Sequence, residues 1–294
     1  MTDIDTATVT SILGYDVLNA SLAATVERAW NRMTAGPGMA SVACANPHTL
    51  TLARSDPALR VALHEADVLL PDGVGVLLAG ALVGKRFEQR VTGTDFFHAF
   101  STRANVEGGV SYFFMGATEA VLERMVRRMA VDYPNISVVG TLAPPFGPTS
   151  DADDEEISQA INVARPDVLW VGMSSGKQEK WIYLNRHRLD VRLSAAVGAV
   201  FDFYAGTKKR APDPVRRLGL EWFYRLTLEP GRLWARNFVS APVFLYDITC
   251  HALKTTRKTA VSQSAPSDDM RERASRDGYR LGKRRDEAAR GKNA

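Results

Sequence analysis

Cysteine is scarce in this sequence, because Cys44 and Cys250 are the only two among 294 residues. A small scaffold held together by disulfides is therefore excluded, and the count fits a reducing compartment. A chain of this length, with 45% hydrophobic residues, can bury a full core without such cross-links.

Long hydrophobic runs are also missing. The longest one near a terminus, Val239–Leu245, contains a proline and is far shorter than the roughly 20 residues of a membrane-spanning helix. The first residues, MTDIDTATVTSI, are acidic and lack the positive region of a secretory signal. Together these absences predict a cytoplasmic protein.

A strong excess of charge is absent from most of the chain. The formal net charge is +4, but residues 251–294 alone hold 12 Lys/Arg and 6 Asp/Glu. The preceding 250 residues hold 25 basic and 27 acidic side chains. This body lacks the basic footprint of a nucleic-acid-binding protein, so nucleic acid is not a predicted partner.

Metal-ligand clusters are missing as well, since no His/Cys group has the spacing of a metal site. Asp151 and Asp153 match a D-x-D metal-binding pattern. They lie in a Ser/Asp loop ahead of a helix rather than after a strand, so we interpret them as helix-capping residues. No metal and no cofactor are predicted.

Short β-rich runs alternate with helical periodicity through the first two thirds of the chain. The predicted buried strands are Val42–Ala45, Val68–Leu70, Val110–Phe114, Ile136–Val139, Val168–Val171 and Ala195–Val197. Predicted helices between them include Val121–Met129, Asp153–Ala164 and Lys177–Leu189. This alternation predicts an α/β fold with a Rossmann-like, mostly parallel sheet and helices on both faces. Ligands of such folds bind at the carboxyl ends of the strands.

The texture of the sequence changes after Gly206, and we expect three segments. Residues 1–206 form the α/β core, residues 207–253 a basic, aromatic helical appendage, and residues 254–294 a disordered basic tail. The tail has too few large apolar residues to offset the entropy of ordering. It either attracts anionic lipid or is a solvated extension.

The segment Ala66–Val76, ADVLLPDGVGV, presents the carboxylate of Asp72 where a predicted strand ends. Gly73 and Gly75 allow close backbone approach before a helix begins. A carboxylate at this place suits a general base. The structural alternative is an Asp–Gly turn that caps the next helix. A dinucleotide-binding loop is disfavoured, because Leu78 replaces the third glycine of that fingerprint.

Two further strand ends carry polar side chains. Asn46 opens a helix and is either a ligand contact or a plain N-cap. Gln178 and Glu179 begin a helix after a strand, where polar groups suit a sugar nucleotide; Glu179 alternatively serves only the helix dipole.

Two glycine turns are candidate phosphate sites. Arg90 lies beside a Thr–Gly–Thr turn that contains Gly93, and Asp95 follows in the first helical turn. Arg90 either grips a phosphate or forms a surface salt bridge. Gly116 belongs to a strand–turn–helix whose backbone amides can bind phosphate, or whose glycine serves geometry alone.

Seven motifs stand in order along most of the chain. They are AN at Ala45–Asn46, ADVLLPDGVGV at Ala66–Val76, RVTGTD at Arg90–Asp95, FMGA at Phe114–Ala117, PDVLWVGM…KQEKW at Pro166–Trp181, VGAVFDFYAGTKKRAP at Val197–Pro212 and GLEWFYRLTLEPGRLWAR at Gly219–Arg236. In this order and spacing the chain resembles the WecG/TagA/CpsF family of bacterial glycosyltransferases. The family often has Thr where this chain has Cys44, so a thiol stands there in place of a hydroxyl.

The resemblance implies inverting transfer of a sugar from a UDP-sugar to an undecaprenyl-diphosphate-linked saccharide, at the inner face of the cytoplasmic membrane. The products are exopolysaccharide, teichoic-acid linkage units or common antigen. By this resemblance Asp72 is the catalytic base, and the arginines of the appendage face the diphosphates. The residues expected to bind substrate are Asn46, Arg90, Gly93, Asp95, Gly116, Gln178, Glu179, Arg210, Arg225, Arg232 and Arg236.

Elementary chemistry is consistent with this resemblance. Inverting transfer needs a single base, because UDP departs without protonation when cations stabilise it. Arginine forks suit diphosphate oxygens, and interleaved aromatic residues suit a lipid interface, so the appendage is expected to dock on the membrane. The structural alternative is an ordinary pair of C-terminal helices packed on the core, with arginine side chains that extend to solvent. The expected partners are a UDP-sugar, a lipid-linked acceptor and an anionic membrane surface, with a homo-oligomer left open. The alternatives are a non-catalytic membrane-associated scaffold and a nicotinamide-dependent oxidoreductase.

Overall fold

A computed structural model describes residues 8–36, 38–145 and 147–264. The chain divides into two compact units, Met1–Thr249 and Cys250–Ala294. In the second unit the described residues continue the last helix to Ser264, which is beyond Lys254, where the sequence predicts that the disordered tail begins. The rest of that tail lies outside the described residues.

The first unit contains a two-stranded antiparallel hairpin and a six-stranded sheet. The strands are β1 Val9–Ile12, β2 Tyr15–Leu18, β3 Ala40–Ala45, β4 Val68–Pro71, β5 Val110–Gly116, β6 Ile136–Leu142, β7 Val168–Gly172 and β8 Leu193–Ala196. The larger sheet has the order β4-β3-β8-β7-β5-β6, and every neighbouring pair is parallel. All six predicted strands and the predicted parallel sheet are therefore confirmed. The β1–β2 hairpin was not predicted.

Helices connect the strands. They are α1 Leu22–Thr34, α2 Pro47–Leu52, α3 Pro57–His64, α4 Val74–Leu82, α5 Gly93–Glu107, α6 Glu119–Asp132, α7 Asp151–Ala164, α8 Lys177–Asn185, α9 Val200–Tyr204, α10 Asp213–Arg217, α11 Glu221–Leu228, α12 Pro230–Ala235 and α13 Ala241–Ser264. A π-helical turn, Arg236–Ser240, joins α12 to α13. The helix predicted to run to Leu189 ends at Asn185.

The pleat of the sheet places helices on both faces, as predicted. In β3, Val42 and Cys44 point into one hydrophobic cluster, which contains buried side chains of α1, α5, α6 and α9. Ala43 and Ala45 point into the opposite cluster, with α2, α3 and α4. Further along that second face, α7 and α8 cover β5 and β7. Because both faces are buried, the strands read as continuous apolar runs rather than as an alternation.

The first turns of α13 belong to the core of the first unit. Phe244 and Ile248 are fully buried beside Tyr15 and Leu50. Asp247 forms an ion pair of 3.1 Å with Arg54. Within the described part of the chain, no helix combines the length and the apolar character that crossing a bilayer requires.

Candidate active site

A cavity of about 380 Å³ opens where β4, β3, β8 and β7 end. Parallel strands bring their carboxyl ends to one edge of the sheet, so loops distant in sequence meet there. The predicted site residues on the cavity wall are Asn46, Asp72, Arg90, Gly93, Gln178, Glu179 and Arg225. The structure thus brings together most of the side chains that the sequence singles out, while their functional roles stay predictions.

Asp72 stands directly after β4 and lines this cavity. Its backbone N–H donates to the carbonyl of Ala45, at 2.9 Å, so the loop after β4 is tied to the end of β3. The N-cap position of α4 belongs to Gly73, whose φ of 93° is a left-handed conformation that favours glycine. The carboxylate is therefore held on a short, well-defined turn, partly exposed to the cavity.

Asn46 is the N-cap of α2, and it also lines the cavity, while a contact with ligand stays a prediction. Its Oδ1 accepts the backbone N–H of Thr49 at 3.0 Å and so caps α2, while the side chain is buried at the cavity wall. Pro47 follows at the first helical position, where its fixed φ favours the helix.

Gln178 and Glu179 form a buried hydrogen-bond network at the start of α8. The Oε1 atom of Gln178 accepts the backbone N–H groups of Met173, at 3.2 Å, and Gly198, at 2.9 Å. Its Nε2 donates to Oε1 of Glu179 at 3.0 Å, and Oε2 of Glu179 accepts the N–H of Gly176 at 2.7 Å. The pair therefore joins the loops after β7 and β8, and both side chains line the cavity.

Two arginines bring positive charge to the wall. Nη2 of Arg90 donates to the carbonyl of Arg216 at 3.5 Å. The guanidinium of Arg225 lies over the ring of Phe203, 5.2 Å from its centroid. Guanidinium groups that face a cavity together with a carboxylate can bind an anionic leaving group while the carboxylate accepts a proton.

Asp95 and Arg210 are not among the described residues that line the cavity, and their expected contact with substrate stays a prediction. They bind each other: Nη2 of Arg210 lies 3.0 Å from Oδ1 of Asp95. Burial acts to raise the pKa of Asp95, but the charge of Arg210 and a hydrogen bond from Thr92 outweigh it and hold the pKa below its usual value. The carboxylate is therefore ionised and paired.

The remaining predicted residues do not contribute described side chains to the cavity. Gly116 packs against the end of β7, where a Cβ would lie 2.4 Å from the carbonyl oxygen of Gly172, so its glycine serves close packing. The side chains of Arg232 and Arg236 lie outside the described part of the structure.

Sequence reasoning missed several residues of the wall. His48 lines the cavity, and its Nδ1 lies 2.9 Å from Oγ of Ser240 in the π-helical turn. Glu221 and Trp222, at the start of α11, line it as well. The contact between His48 and Ser240 spans 192 positions of the chain, and no local pattern of the sequence indicates it.

No group of three or more His, Cys, Asp or Glu side chains suited to a metal ion occurs in the described residues. In the D-x-D segment, Asp153 forms a capping box with Ser150. Asp151 pairs with Arg188 at 2.6 Å. The capping interpretation of Asp153 is thereby confirmed.

Large apolar side chains are exposed around α11 and α12. Trp222, Phe223, Leu228, Trp234 and Phe238 are each about half exposed or slightly more, and Trp222 is also part of the cavity wall. Trp222 contacts Phe223, and Trp234 stacks on Phe238, and exposed apolar groups of this size are typical of interaction surfaces.

Known proteins match most of this chain. The glycosyl transferase WecG/TagA/CpsF family matches residues 10–258. A relative from Bacillus spizizenii is 31% identical over 212 residues, which cover 72% of this chain and 79% of the relative. A Bacillus subtilis relative is 33% identical over 197 residues, with coverages of 67% and 74%. One from Staphylococcus aureus is 30% identical over 207 residues, with coverages of 70% and 78%. All three are named N-acetylglucosaminyldiphosphoundecaprenol N-acetyl-beta-D-mannosaminyltransferase.

Proposed function

The chain belongs to the glycosyl transferase WecG/TagA/CpsF family and is a hexosyltransferase, and from this premise we propose its substrates and catalytic residues. The donor is a UDP-linked N-acetylhexosamine, with N-acetylmannosamine the first candidate. The acceptor is N-acetylglucosamine linked to undecaprenyl diphosphate. The names of the relatives support both sugars and the lipid carrier. Membership of an enzyme family speaks against the scaffold and oxidoreductase alternatives.

Asp72 is the general base of this proposal. Its carboxylate takes the proton of an acceptor hydroxyl, and that oxygen forms a bond to the anomeric carbon of the donor. The bond from the anomeric carbon to UDP breaks at the same step, and UDP leaves with the bonding electrons. Displacement from the opposite face inverts the anomeric configuration, which agrees with the β product named for the relatives if the donor is α-linked.

The observation that carries this proposal is the place of Asp72 on the same wall as Arg90 and Arg225. The negative charge that develops on UDP and the diphosphate of the acceptor both require cationic partners. Asn46 and Gln178 supply buried amides beside them, and such groups orient sugar hydroxyl and acetamido groups through hydrogen bonds.

The exposed apolar residues of α11 and α12 form the membrane-contacting surface of the proposal. An enzyme whose acceptor is anchored by a long lipid must work at the bilayer surface. Half-exposed Trp and Phe side chains near basic residues are favoured at such an interface. This supports a peripheral enzyme on the inner face of the cytoplasmic membrane, with the appendage over residues 207–253.

The test is a screen of UDP-sugars with the full chain and a short-chain lipid-diphosphate N-acetylglucosamine, read by mass spectrometry. We expect a product heavier than the acceptor by one N-acetylhexosamine residue. The same reaction with GlcNAc linked to a simple alkyl group serves as the control for diphosphate recognition. Turnover of hexose donors with no turnover of UDP-N-acetylhexosamines would overturn the donor assignment.

A further inference from the structure

Arg210 forms ion pairs with two carboxylates and so connects α5 to α11. Its Nη2 lies 3.0 Å from Oδ1 of Asp95, near the start of α5, and its Nε lies 3.4 Å from Oε1 of Glu221, the first residue of α11. The same Nη2 also donates to Oγ1 of Thr92 at 3.3 Å. One planar guanidinium thus holds the core on one side and α11 on the other.

These two ion pairs are less exposed to solvent than the other ion pairs of the described residues. The side chain of Arg210 is 18% exposed, that of Glu221 15% and that of Asp95 26%. Among the ion pairs of the described residues, these are the two with both partners most shielded from water. Interactions screened so little by solvent are stronger than surface pairs, and removal of one partner leaves an uncompensated charge.

The segment held in this way is the cavity wall formed by α11. Glu221, Trp222 and Arg225 all line the cavity, and their spacing of three and four residues places them on one side of the helix. Near the other end of α11, Glu229 lies 3.3 Å from Lys208, which also contacts Asp202 at 3.1 Å. The short stretch from Lys208 to Arg210 therefore fastens α11 at both ends.

Packing at the turn before α11 also fixes the position of this helix. Gly219 has a φ of 74°, and a Cβ on it would lie 2.6 Å from Cγ2 of Val74, the first residue of α4. This turn therefore rests on the loop that carries Asp72. A shift of α11 would change the shape of the cavity that Asp72 also lines.

We propose that Arg210 is a positioning residue: it holds α11 against α5 so that Trp222 and Arg225 form the cavity wall, and it does not itself contact the substrate. This replaces the sequence-based expectation that Arg210 and Asp95 bind substrate directly. The effect on transfer rests on the proposed function, whereas the effect on α11 does not.

Hydrogen–deuterium exchange of the substrate-free, full-length protein tests the proposal without any turnover. We expect Arg210→Met to speed exchange of residues 221–228 by about tenfold, with strands β3, β4 and β7 unchanged. Arg210→Lys keeps the charge but loses the planar fork, so its effect is intermediate. Glu221→Gln and Asp95→Asn each remove one of the two ion pairs of Arg210. Their effects on exchange should therefore combine non-additively with that of Arg210→Met.

Kinetics supply the second readout. The loosened wall is expected to raise KM for the lipid-linked acceptor by about tenfold while kcat changes less. The matched control is Arg127→Met, which breaks an exposed pair with Glu123 on α6, 3.8 Å long, and should change neither readout.

Three results would overturn the proposal. Loss of transfer with wild-type exchange over residues 221–228 would mean that Arg210 contacts substrate. Faster exchange throughout the sheet would mean a general role in stability. Wild-type exchange and wild-type kinetics together would mean that the pairs have no role. If no UDP-sugar is turned over, the proposed function fails, but exchange still decides the role of Arg210.

Discussion

The ring of Pro47 fills the space in which a side chain on Gly75 would lie. A Cβ built on Gly75 would be 2.4 Å from Cγ of Pro47, far inside the contact distance of two carbon atoms. Pro47 begins the helix after β3, and Gly75 lies in the helix after β4. This close approach lies beside Asn46 and Asp72, which line one cavity.

Replacement of Gly75 by Ala is therefore expected to damage the site. In an isolated helix the change would stabilise by about 1 kcal/mol. Here the rigid proline ring cannot yield, so we expect the free energy of unfolding to fall by about 1–3 kcal/mol, together with lower kcat. Thermal unfolding and transfer assays measure both. Gly36→Ala is the control, since a Cβ there meets nothing within 4 Å; equal effects of the two changes would contradict this account.

Asp72→Asn tests the base. The amide keeps the size of the side chain but accepts a proton poorly, so kcat should fall by about 10²- to 10⁴-fold with the fold intact. Asp16→Asn, on an exposed position of β2, is the matched control and should leave kcat unchanged. Near-native turnover of Asp72→Asn on a purified lipid acceptor would show that another group removes the proton.

Membrane docking is best tested by surface substitutions. Truncation before Lys208 would also remove Phe244 and Ile248 from the core, so loss of binding could not be assigned to the surface. The double variant Phe223→Ser/Trp234→Ser should sediment at least about tenfold less with vesicles of anionic phospholipid.

The control for docking is Val106→Ser/Val163→Ser, which removes exposed apolar groups at 77% and 83% exposure on α5 and α7. These helices lie outside the α11–α12 surface, so vesicle binding should not change. If both double variants bind as the wild type does, α11 and α12 are not the docking surface.

His98 gives the fold a pH dependence of its own. Burial lowers the pKa of His98, and the charges of Arg210 and Arg128 lower it further against the opposing effect of Asp95 and Asp132. Its ring also contacts the hydroxyl of Tyr133 at 3.0 Å. A depressed pKa in the folded state means that folding favours neutral histidine.

The free energy of unfolding should therefore fall as pH decreases below about 6.5, where the unfolded chain gains a proton more readily than the folded one. In His98→Gln this part of the slope between pH 6.5 and 5 should disappear. Urea unfolding at several pH values measures it, and identical slopes for both proteins would contradict the assignment to His98.

The sequence was most informative where structure is local. Buried strands in a parallel sheet leave continuous apolar runs, so β5 and β7 could be read directly, and Asp72 could be placed at a strand end. The β1–β2 hairpin could not be predicted, because its turn, Leu13–Gly14, lacks the Asn–Gly sequence that is typical of such turns. Both turn residues nevertheless have positive φ.

Partners far apart in sequence could not be foreseen. Arg210 binds Asp95 across 115 positions of the chain, and no periodicity of the sequence indicates such a pairing. The sequence does not indicate a role for His48 for the same reason, because only the fold brings Ser240 close to its ring. Sequence motifs therefore indicate candidate functional residues, but they do not indicate which residues these contact in the fold.

The hydrogen bond from Thr51 to the carbonyl of Ser240, with Phe244 seated one turn later, has a consequence for biosynthesis. The pocket lacks part of its wall until the ribosome has delivered the segment around Ser240 and Phe244. A chain that ends before this segment therefore contains Asp72 but lacks the part of the cavity wall that Phe244 forms. The complete cavity can form only after most of the chain has been synthesised.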